Sequence, residues 1–347
     1  MKTNPSKALR SALLSFLYYS GLYYITDKLF SPKGLYIVGY HRIERNLPPS
    51  DVHVLAVTQQ NLEAHFRYYK RSYEVISMDE AKRLLEGKSK WTKRYMVITF
   101  DDGYRDNYTL GAALFEQYQI PATIYLTVGP IENREPLWTD MVDEMIASSR
   151  KTSITLLWDG LQGTFSIAET GSRIEIAERI KNEIKRYNEE VKQWLLEQLR
   201  LECGVERPTN GNLMLDWQEA RSLVDLQVNL GGHTMSHPTL STISPLDASL
   251  ELVQSKKLIE TKTSSSVRHF AYPYGLYTDF NESVRDEAAR HYDTAVTAVN
   301  GINGIDSNHW ELNRVIVENI SVRKLQYRFL KLKIQYQVRH WLRLNRR

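Results

Sequence analysis

The stretch that most constrains this chain is an apolar run, residues 95–100, that ends abruptly in Asp101, Asp102 and Gly103. Its β-branched and aromatic content suits a strand buried on both faces, as in a parallel sheet covered by helices. Gly103 supplies the backbone freedom to turn out of that strand. The two carboxylates then stand at its C-terminal end, the edge where α/β folds with parallel strands collect ligands and chemistry. Adjacent like charges cost free energy unless a metal, an arginine or a shared proton lies beside them. A plain strand-ending turn is the structural alternative, and this stretch alone does not separate the two.

A second predicted strand, residues 226–230, runs into Gly231-Gly232 and then into His233-Thr234-Met235-Ser236-His237. On a helical turn an i, i+4 pair puts both imidazoles on one face, which suits a divalent transition metal. One carboxylate plus two imidazoles makes a three-ligand set with open positions for water and substrate, the arrangement of a catalytic site rather than a structural one.

With both motifs in view, the chain resembles the NodB-type polysaccharide deacetylases. Thr99-Phe100-Asp101-Asp102-Gly103 is similar to that family's first motif, and His233-Thr234-Met235-Ser236-His237 to its H-[ST]-x-x-H metal motif. Phe270-Ala271-Tyr272-Pro273-Tyr274-Gly275 is similar to its third motif, and Leu35-Tyr36-Ile37-Val38-Gly39-Tyr40-His41-Arg42 resembles the opening strand of the poly-N-acetylglucosamine deacetylase branch. The resemblance implies Asp102, His233 and His237 as metal ligands, Asp101 as general base, and the backbone N–H of Tyr274 as a donor to the oxyanion. The expected metal is Zn²⁺, with Fe, Co or Ni acceptable to the same ligands. Two departures from the pattern matter. Ala271 stands where the third motif usually has an arginine, which makes Arg314 the candidate to hold Asp101. The family's Leu-x-His motif is absent, with only Leu312-Asn313-Arg314 near the C-terminus. His41, at the end of the first strand, is therefore the candidate general acid, with His309 as a rival; a strand-end core histidine is the other reading of His41.

Strand and helix alternate along most of the chain, which argues for a parallel sheet with right-handed crossovers. Together with the resemblance this predicts an α/β fold, a distorted (β/α)7-type barrel over residues 31–320. Helices are predicted over residues 59–69, 106–118, 247–260 and 282–291, and Ser77 to Glu80 reads as a capping box. His53 and His65 read as surface residues. The alternation breaks at about residues 138–208, where a hairpin around Asp159-Gly160 precedes one long charged helix over residues 173–201. Such length marks an insertion over the active-site face, with Trp138 and Asp140 near enough to its start to reach the cleft. The single cysteine, Cys203, reads as structural filler. A hydrophobic fraction of 42% is enough for a proper core. No phosphate-cradling glycine loop follows a strand, which disfavours nucleotide chemistry.

The ends of the chain differ from its middle. Lys2, Lys7 and Arg10 precede an apolar stretch, residues 12–25, that is too short and too interrupted for a spanning helix and lacks a small-residue cleavage site. Residues 1–30 are thus expected to be an amphipathic segment, either interfacial or packed on the domain, and no cleavable signal is evident; a cytoplasmic or membrane-peripheral protein is the expectation. Residues 321–347 carry nine Lys and Arg and no acidic residue, interleaved with apolar side chains. This predicts a basic C-terminal helix suited to an anionic membrane surface, ahead of a solvated helix and well ahead of nucleic acid. As a whole the sequence predicts a metal-dependent N-deacetylase of an amino-sugar polysaccharide or its lipid-linked precursor. A catalytically silent carbohydrate-binding relative and an O-acetyl glycan esterase are the alternatives.

Overall fold

Unbroken apolar sequence and full burial coincide at the centre of the sheet. The computed structural model describes residues 31–47, 55–87, 91–208 and 213–344, the side chains as far as residue 338, and the isolated positions Ser20 and Ile25. From residue 31 on, the described residues form β1 (Gly34–Tyr40), β2 (Arg42–Glu44), β3 (Ala56–Thr58), α1 (Gln59–Ser72), β4 (Glu74–Val75), α2 (Met78–Leu85) and β5 (Arg94–Phe100). Next come α3 (Asp106–Thr109), α4 (Ala112–Tyr118), β6 (Thr123–Leu126), α5 (Val128–Asn133) and α6 (Trp138–Ser148). The insertion continues through β7 (Ser153–Trp158), β8 (Leu161–Ser166), α7 (Thr170–Ile184) and α8 (Glu189–Cys203). The remainder is α9 (Trp217–Asp225), β9 (Asn229–Gly232), α10 (Pro245–Thr263), β10 (His269–Ala271), α11 (Glu282–His291), β11 (Thr294–Val296), β12 (Val315–Ile316) and α12 (Val322–Leu344).

The main sheet runs β11-β10-β9-β6-β5-β1-β12, and its neighbouring strands are parallel. β1 and β5 pair over their whole length, from Gly34 opposite Arg94 to Tyr40 opposite Phe100, so they end level. Every residue of β1 is buried, as expected for a strand covered on both faces. Leu312 bridges to Val296 of β11, and three residues later Val315 pairs with Val38 of β1. One short segment therefore touches both margins of the sheet and curls it into a distorted (β/α) barrel.

Caps and turns set the helix ends. Ser77 and Glu80 form the expected capping box on α2, and Asp216 and Glu219 form another on α9. The expected strand at residues 226–230 starts later, at Asn229, because Leu226 still caps α9. The expected helix at 106–118 is two, α3 and α4, broken at Leu110-Gly111, where a side chain at 111 would collide with the Asn107 carbonyl. The long helix expected over residues 173–201 is also two. α7 ends at Ile184, and the Asn188 side chain accepts from Val191 N–H to start α8 afresh. These helices and the β7–β8 hairpin enclose their own core, built from Trp138, Ile146, Ile154, Ile180, Leu195 and Leu199. Cys203 is buried in it.

His65, expected at the surface, is fully buried. Its Nδ1 lies 3.0 Å from the Tyr40 hydroxyl and its Nε2 2.8 Å from the Ile320 carbonyl, so it ties β1 and α1 to the chain entering α12. α12 itself is half core. Leu325, Phe329, Leu330 and Leu332 are buried, and the Phe329 ring packs among Tyr36, Tyr68, Tyr69 and Tyr73. The expectations for residues 1–30, apart from Ser20 and Ile25, and for His53 lie outside the described residues. Among the described residues no helix is long and apolar enough to cross a membrane.

Burial pushes the His65 pKa down to about 4, from an ordinary value of about 6.5. A depressed histidine stabilises the fold above its unfolded pKa and loses that contribution as pH falls through the folded one, a span worth roughly 3 kcal/mol. Urea unfolding of the wild type should therefore weaken between about pH 6.5 and pH 4 more steeply than that of His65→Gln. Parallel pH profiles for the two proteins would contradict the burial of a neutral imidazole.

Candidate functional site

The C-terminal ends of β1, β5, β9 and β10 meet at one rim. They carry His41, Asp101 with Asp102, His233, and Tyr272-Pro273-Tyr274. Gly103 turns the chain away from β5 at φ 83°, and a Cβ there would come within 2.9 Å of the Leu126 side chain, so both conformation and space call for glycine. Asp102 itself lies at φ 75°, a conformation Asp tolerates better than most residues. Its carbonyl accepts from Thr127 N–H at 3.1 Å, and the Thr127 hydroxyl donates to the His233 carbonyl at 3.3 Å. The ends of β5, β6 and β9 are thereby tied together.

The histidine pair does not sit on a helical turn, as the spacing suggested. Residues 233–237 form a loop with Thr234 at φ 70° and His237 at φ 56°, and two left-handed residues end any helix. The loop wraps the Glu251 carboxylate of α10 instead. That carboxylate accepts from Met235 N–H (2.6 Å), Ser236 N–H (3.0 Å) and the Ser236 hydroxyl (2.7 Å). The two imidazoles end with ring centres 4.9 Å apart, each with Nε2 at 3.4 Å from Asp102 Oδ1.

These three side chains fit a divalent cation. Asp102 Oδ1 is buried without a hydrogen-bond partner, and one ligand atom from each residue lies within 4.8 Å of the others. A separation of 3.4 Å exceeds an ordinary N–H···O hydrogen bond yet equals the edge of a tetrahedron drawn with metal–ligand bonds of about 2.1 Å. His233 Nδ1 donates to the Ala271 carbonyl at 2.7 Å, so Nε2 is the ring nitrogen that faces Asp102; burial opposes charge on this imidazole, but Asp102 and Asp101 outweigh it and raise its pKa. Burial pushes the His237 pKa down to about 3, only partly offset by Asp102, so this imidazole is neutral and available as a ligand. Burial opposes charge on Asp102 too, but the surrounding histidines more than compensate and hold its carboxyl well below the usual range.

The second carboxylate is held differently. Arg314, 1% exposed, reaches across from the start of β12 and places Nη1 and Nη2 each 2.6 Å from an oxygen of Asp101. Its Nη1 also donates to the Thr99 hydroxyl (3.1 Å) and its Nε to the Thr297 carbonyl (3.0 Å). Burial works against charge on Asp101, yet Arg314 first, then His233 and His41, hold its pKa below the ordinary carboxylate value. His41 Nε2 stands 3.9 Å from Asp101 Oδ2. The Tyr274 ring packs edge-on to His237 with centres 4.7 Å apart, and among the described residues its amide N–H has no acceptor. His309 does not line the cleft; its carbonyl accepts from Ala295 N–H behind the rim.

The cleft has a volume of about 710 Å³, and the insertion forms one wall. Asp140 accepts from the Tyr104 hydroxyl at 3.0 Å, and burial pushes its carboxyl up to about 7 despite the nearby Arg42. Lys181 pairs with Asp143 and Glu178, and Lys185 stacks its ammonium 4.0 Å from the centre of the Tyr274 ring. Tyr104, Lys181, Lys185, Lys192 and Glu251 went unnoticed in the sequence. Each lies in an ordinary-looking helix or loop, and only their contacts with the rim single them out.

Comparison with known proteins gives a consistent result. The family model described as "Polysaccharide deacetylase" matches residues 88–213 and 204–294. The Bacillus subtilis (strain 168) protein named "Putative polysaccharide deacetylase YxkH" is 22% identical over 291 residues, 84% of this chain and 74% of that protein. Among solved structures, the Streptococcus pyogenes deacetylase PplD in complex with acetate superposes with a TM-score of 0.57 at 19% identity, over 85% of this chain and 98% of the other. IcaB from Ammonifex degensii gives 0.54 at 14% identity, over 87% and 97%. At those identities the structural likeness speaks for the fold alone.

Replacing Arg314 by Met should leave a buried, unpaired carboxylate at Asp101 and destabilise the protein by about 3–5 kcal/mol at neutral pH. The double variant Arg314→Met/Asp101→Asn should recover much of that loss, because the unpaired charge is gone. Equal stabilities for the single variant and the wild type in chemical denaturation would show that the pair carries no such weight.

Proposed function

This chain belongs to the polysaccharide deacetylase family, and from that premise we propose that it removes acetyl groups from N-acetylated amino sugars of a polysaccharide or its lipid-linked precursor, using a divalent cation. The observation that carries the reading is the convergence of Asp102, His233 and His237 beside a carboxylate gripped by arginine. Bound there, a cation, Zn²⁺ in our reading with Fe, Co or Ni as substitutes, supplies Lewis-acid polarisation of the acetyl carbonyl and acidifies a water. Asp101 takes the proton of the attacking water on a carboxylate oxygen, while Arg314 fixes the direction of that oxygen. The Tyr274 amide N–H, free of any acceptor among the described residues, donates to the oxygen on which negative charge develops. His41, 3.9 Å from Asp101, protonates the leaving nitrogen, and the products are acetate and a free amine. Arg314 on Asp101 supports the enzyme reading over a silent carbohydrate-binding relative, whose appeal rested on Ala271 standing in place of the usual arginine.

The same family implies a glycan partner, and we place a second contact at α12. Residues 321–347 have no acidic side chain, and Arg323, Lys324 and Lys331 are exposed on the same helix as the exposed apolar side chains Ile334 and Val338. This composition supports docking on an anionic lipid surface, at about 1 kcal/mol per well-placed cation. Because Phe329 and Leu325 are core residues, deleting the helix would damage the fold, so surface substitutions are the proper probe.

Two experiments follow. Asp102→Ala and His237→Ala should abolish metal uptake, whereas Asp101→Asn should retain metal and lose acetate release from N-acetylglucosamine oligomers by about 10²-fold or more; His41→Ala should flatten the basic limb of the pH–rate profile. Full activity in Asp101→Asn removes the base assignment. Metal without acetate from any acetylated glycan selects the binding module, and turnover of O-acetylated glycans only selects the esterase. For α12, Lys324→Glu/Lys331→Glu should reduce sedimentation with phosphatidylserine vesicles; equal pelleting of the variant and wild type ends the membrane reading.

A further inference from the structure

The peptide groups on both sides of His237 are anchored partly from the insertion; from the barrel side, the His237 N–H donates to the Thr234 hydroxyl at 3.1 Å. Lys192, on α8, is buried to 4% exposure, and its Nζ donates to the Ser236 carbonyl at 3.0 Å while pairing with Glu189 at 2.5 Å. The Trp138 indole N–H, at the start of α6, donates to the His237 carbonyl at 3.3 Å, as does the Tyr274 hydroxyl. The Lys192 ammonium also lies 5.7 Å from the centre of the Trp138 ring. Each carbonyl flanking His237 thus accepts from a side chain of the insertion, the Ser236 carbonyl from Lys192 and the His237 carbonyl from Trp138, the latter shared with Tyr274 on the barrel rim.

Such anchoring meets a need. His237 has φ 56° and is followed by Pro238. A residue before proline is restricted to extended conformations, and a non-glycine residue in the left-handed region costs of order 1–3 kcal/mol unless its surroundings over-determine it. Proline also offers no N–H with which the loop could stabilise itself. Within the barrel, Glu251 holds the first half of the loop through Met235 and Ser236, and the Thr234 hydroxyl takes the His237 N–H; the Ser236 carbonyl is taken by Lys192 of the insertion. A buried ammonium is costly unless it is paired and hydrogen-bonded, and Lys192 meets that requirement with Glu189 on its own helix and the Ser236 carbonyl of the histidine loop.

We infer that Lys192 is a positioning residue for His237 and that the insertion is an integral part of the metal centre. The inference rests on the reading that Asp102, His233 and His237 hold a divalent cation. Lys192 acts through the Ser236 carbonyl: without the ammonium the peptide between Ser236 and His237 is held only at its N–H, by Thr234, and the imidazole loses its precise aim at Asp102.

The test is the Zn²⁺ affinity of the full chain, measured by competition with a chromophoric chelator, with circular dichroism and thermal unfolding of the metal-free proteins alongside. Lys192→Met keeps the apolar stem and removes the charge, and it should weaken Zn²⁺ binding about 10- to 100-fold. Lys192→Arg should restore most of the affinity, and Trp138→Phe, which removes only the indole N–H, should show a smaller loss in the same direction. The Co²⁺ forms of Lys192→Met and wild type should differ in their visible absorption, a change that loose docking of the insertion would not by itself produce. Wild-type affinity in a folded Lys192→Met overturns the inference; if that variant fails to fold, wild-type affinity in Trp138→Phe does so. A wild-type chain that takes up no metal removes the underlying reading instead, and that outcome is distinct from a variant that binds as well as its parent.

Discussion

Two neighbouring buried carboxylates cannot both remain charged without compensation, and the rim of this barrel is arranged around that constraint. The structure divides the task. Asp101 turns to Arg314, which grips both of its oxygens, while Asp102 turns to His233 and His237 and keeps one oxygen free of hydrogen bonds. Successive residues leaving a strand point to opposite sides, so one strand end can address two partners at once. The division is also chemical. An arginine-clamped carboxylate can accept a proton but is a poor site for a cation, whereas a carboxylate facing two imidazole nitrogens is a good one.

Much of this was legible in the chain itself, for physical reasons that differ from residue to residue. The apolar run into Asp101-Asp102-Gly103 names a buried strand and its exit, because burial on both faces leaves no polar position before the end. The spacing of His233 and His237 announces a pair, but not its backbone. Helical periodicity and a left-handed loop both bring such residues together, and the loop's true organiser, Glu251, sits on the following helix. Arg314 could be named only by asking what replaced a missing arginine, since contact across 213 residues leaves no local trace. Lys192 has no mark that sets it apart in the charged stretch around it, and His65 reads as a surface imidazole. Burial, which sequence reports only through periodicity, decides both.

The insertion and the last helix show the same limit on a larger scale. A charged stretch reads as one long helix until Asn188, a strong capping residue, restarts it. The break lets α7 and α8 fold back on the hairpin, giving the insertion a core of its own and a polar wall toward the cleft. α12 is basic in composition, yet one of its faces carries Phe329 into a nest of tyrosines. Composition describes the outer face of such an element, and packing decides the inner one.

The central claim is that one carboxylate and two imidazoles from separate strand ends hold the same cation. X-ray absorption spectroscopy of the full chain loaded with one equivalent of Zn²⁺ tests this most directly. The prediction is a nitrogen and oxygen environment with the outer scattering of two imidazoles and no sulfur, reduced to one imidazole in His233→Ala. A spectrum without imidazole scattering, or one unchanged by that substitution, would contradict it.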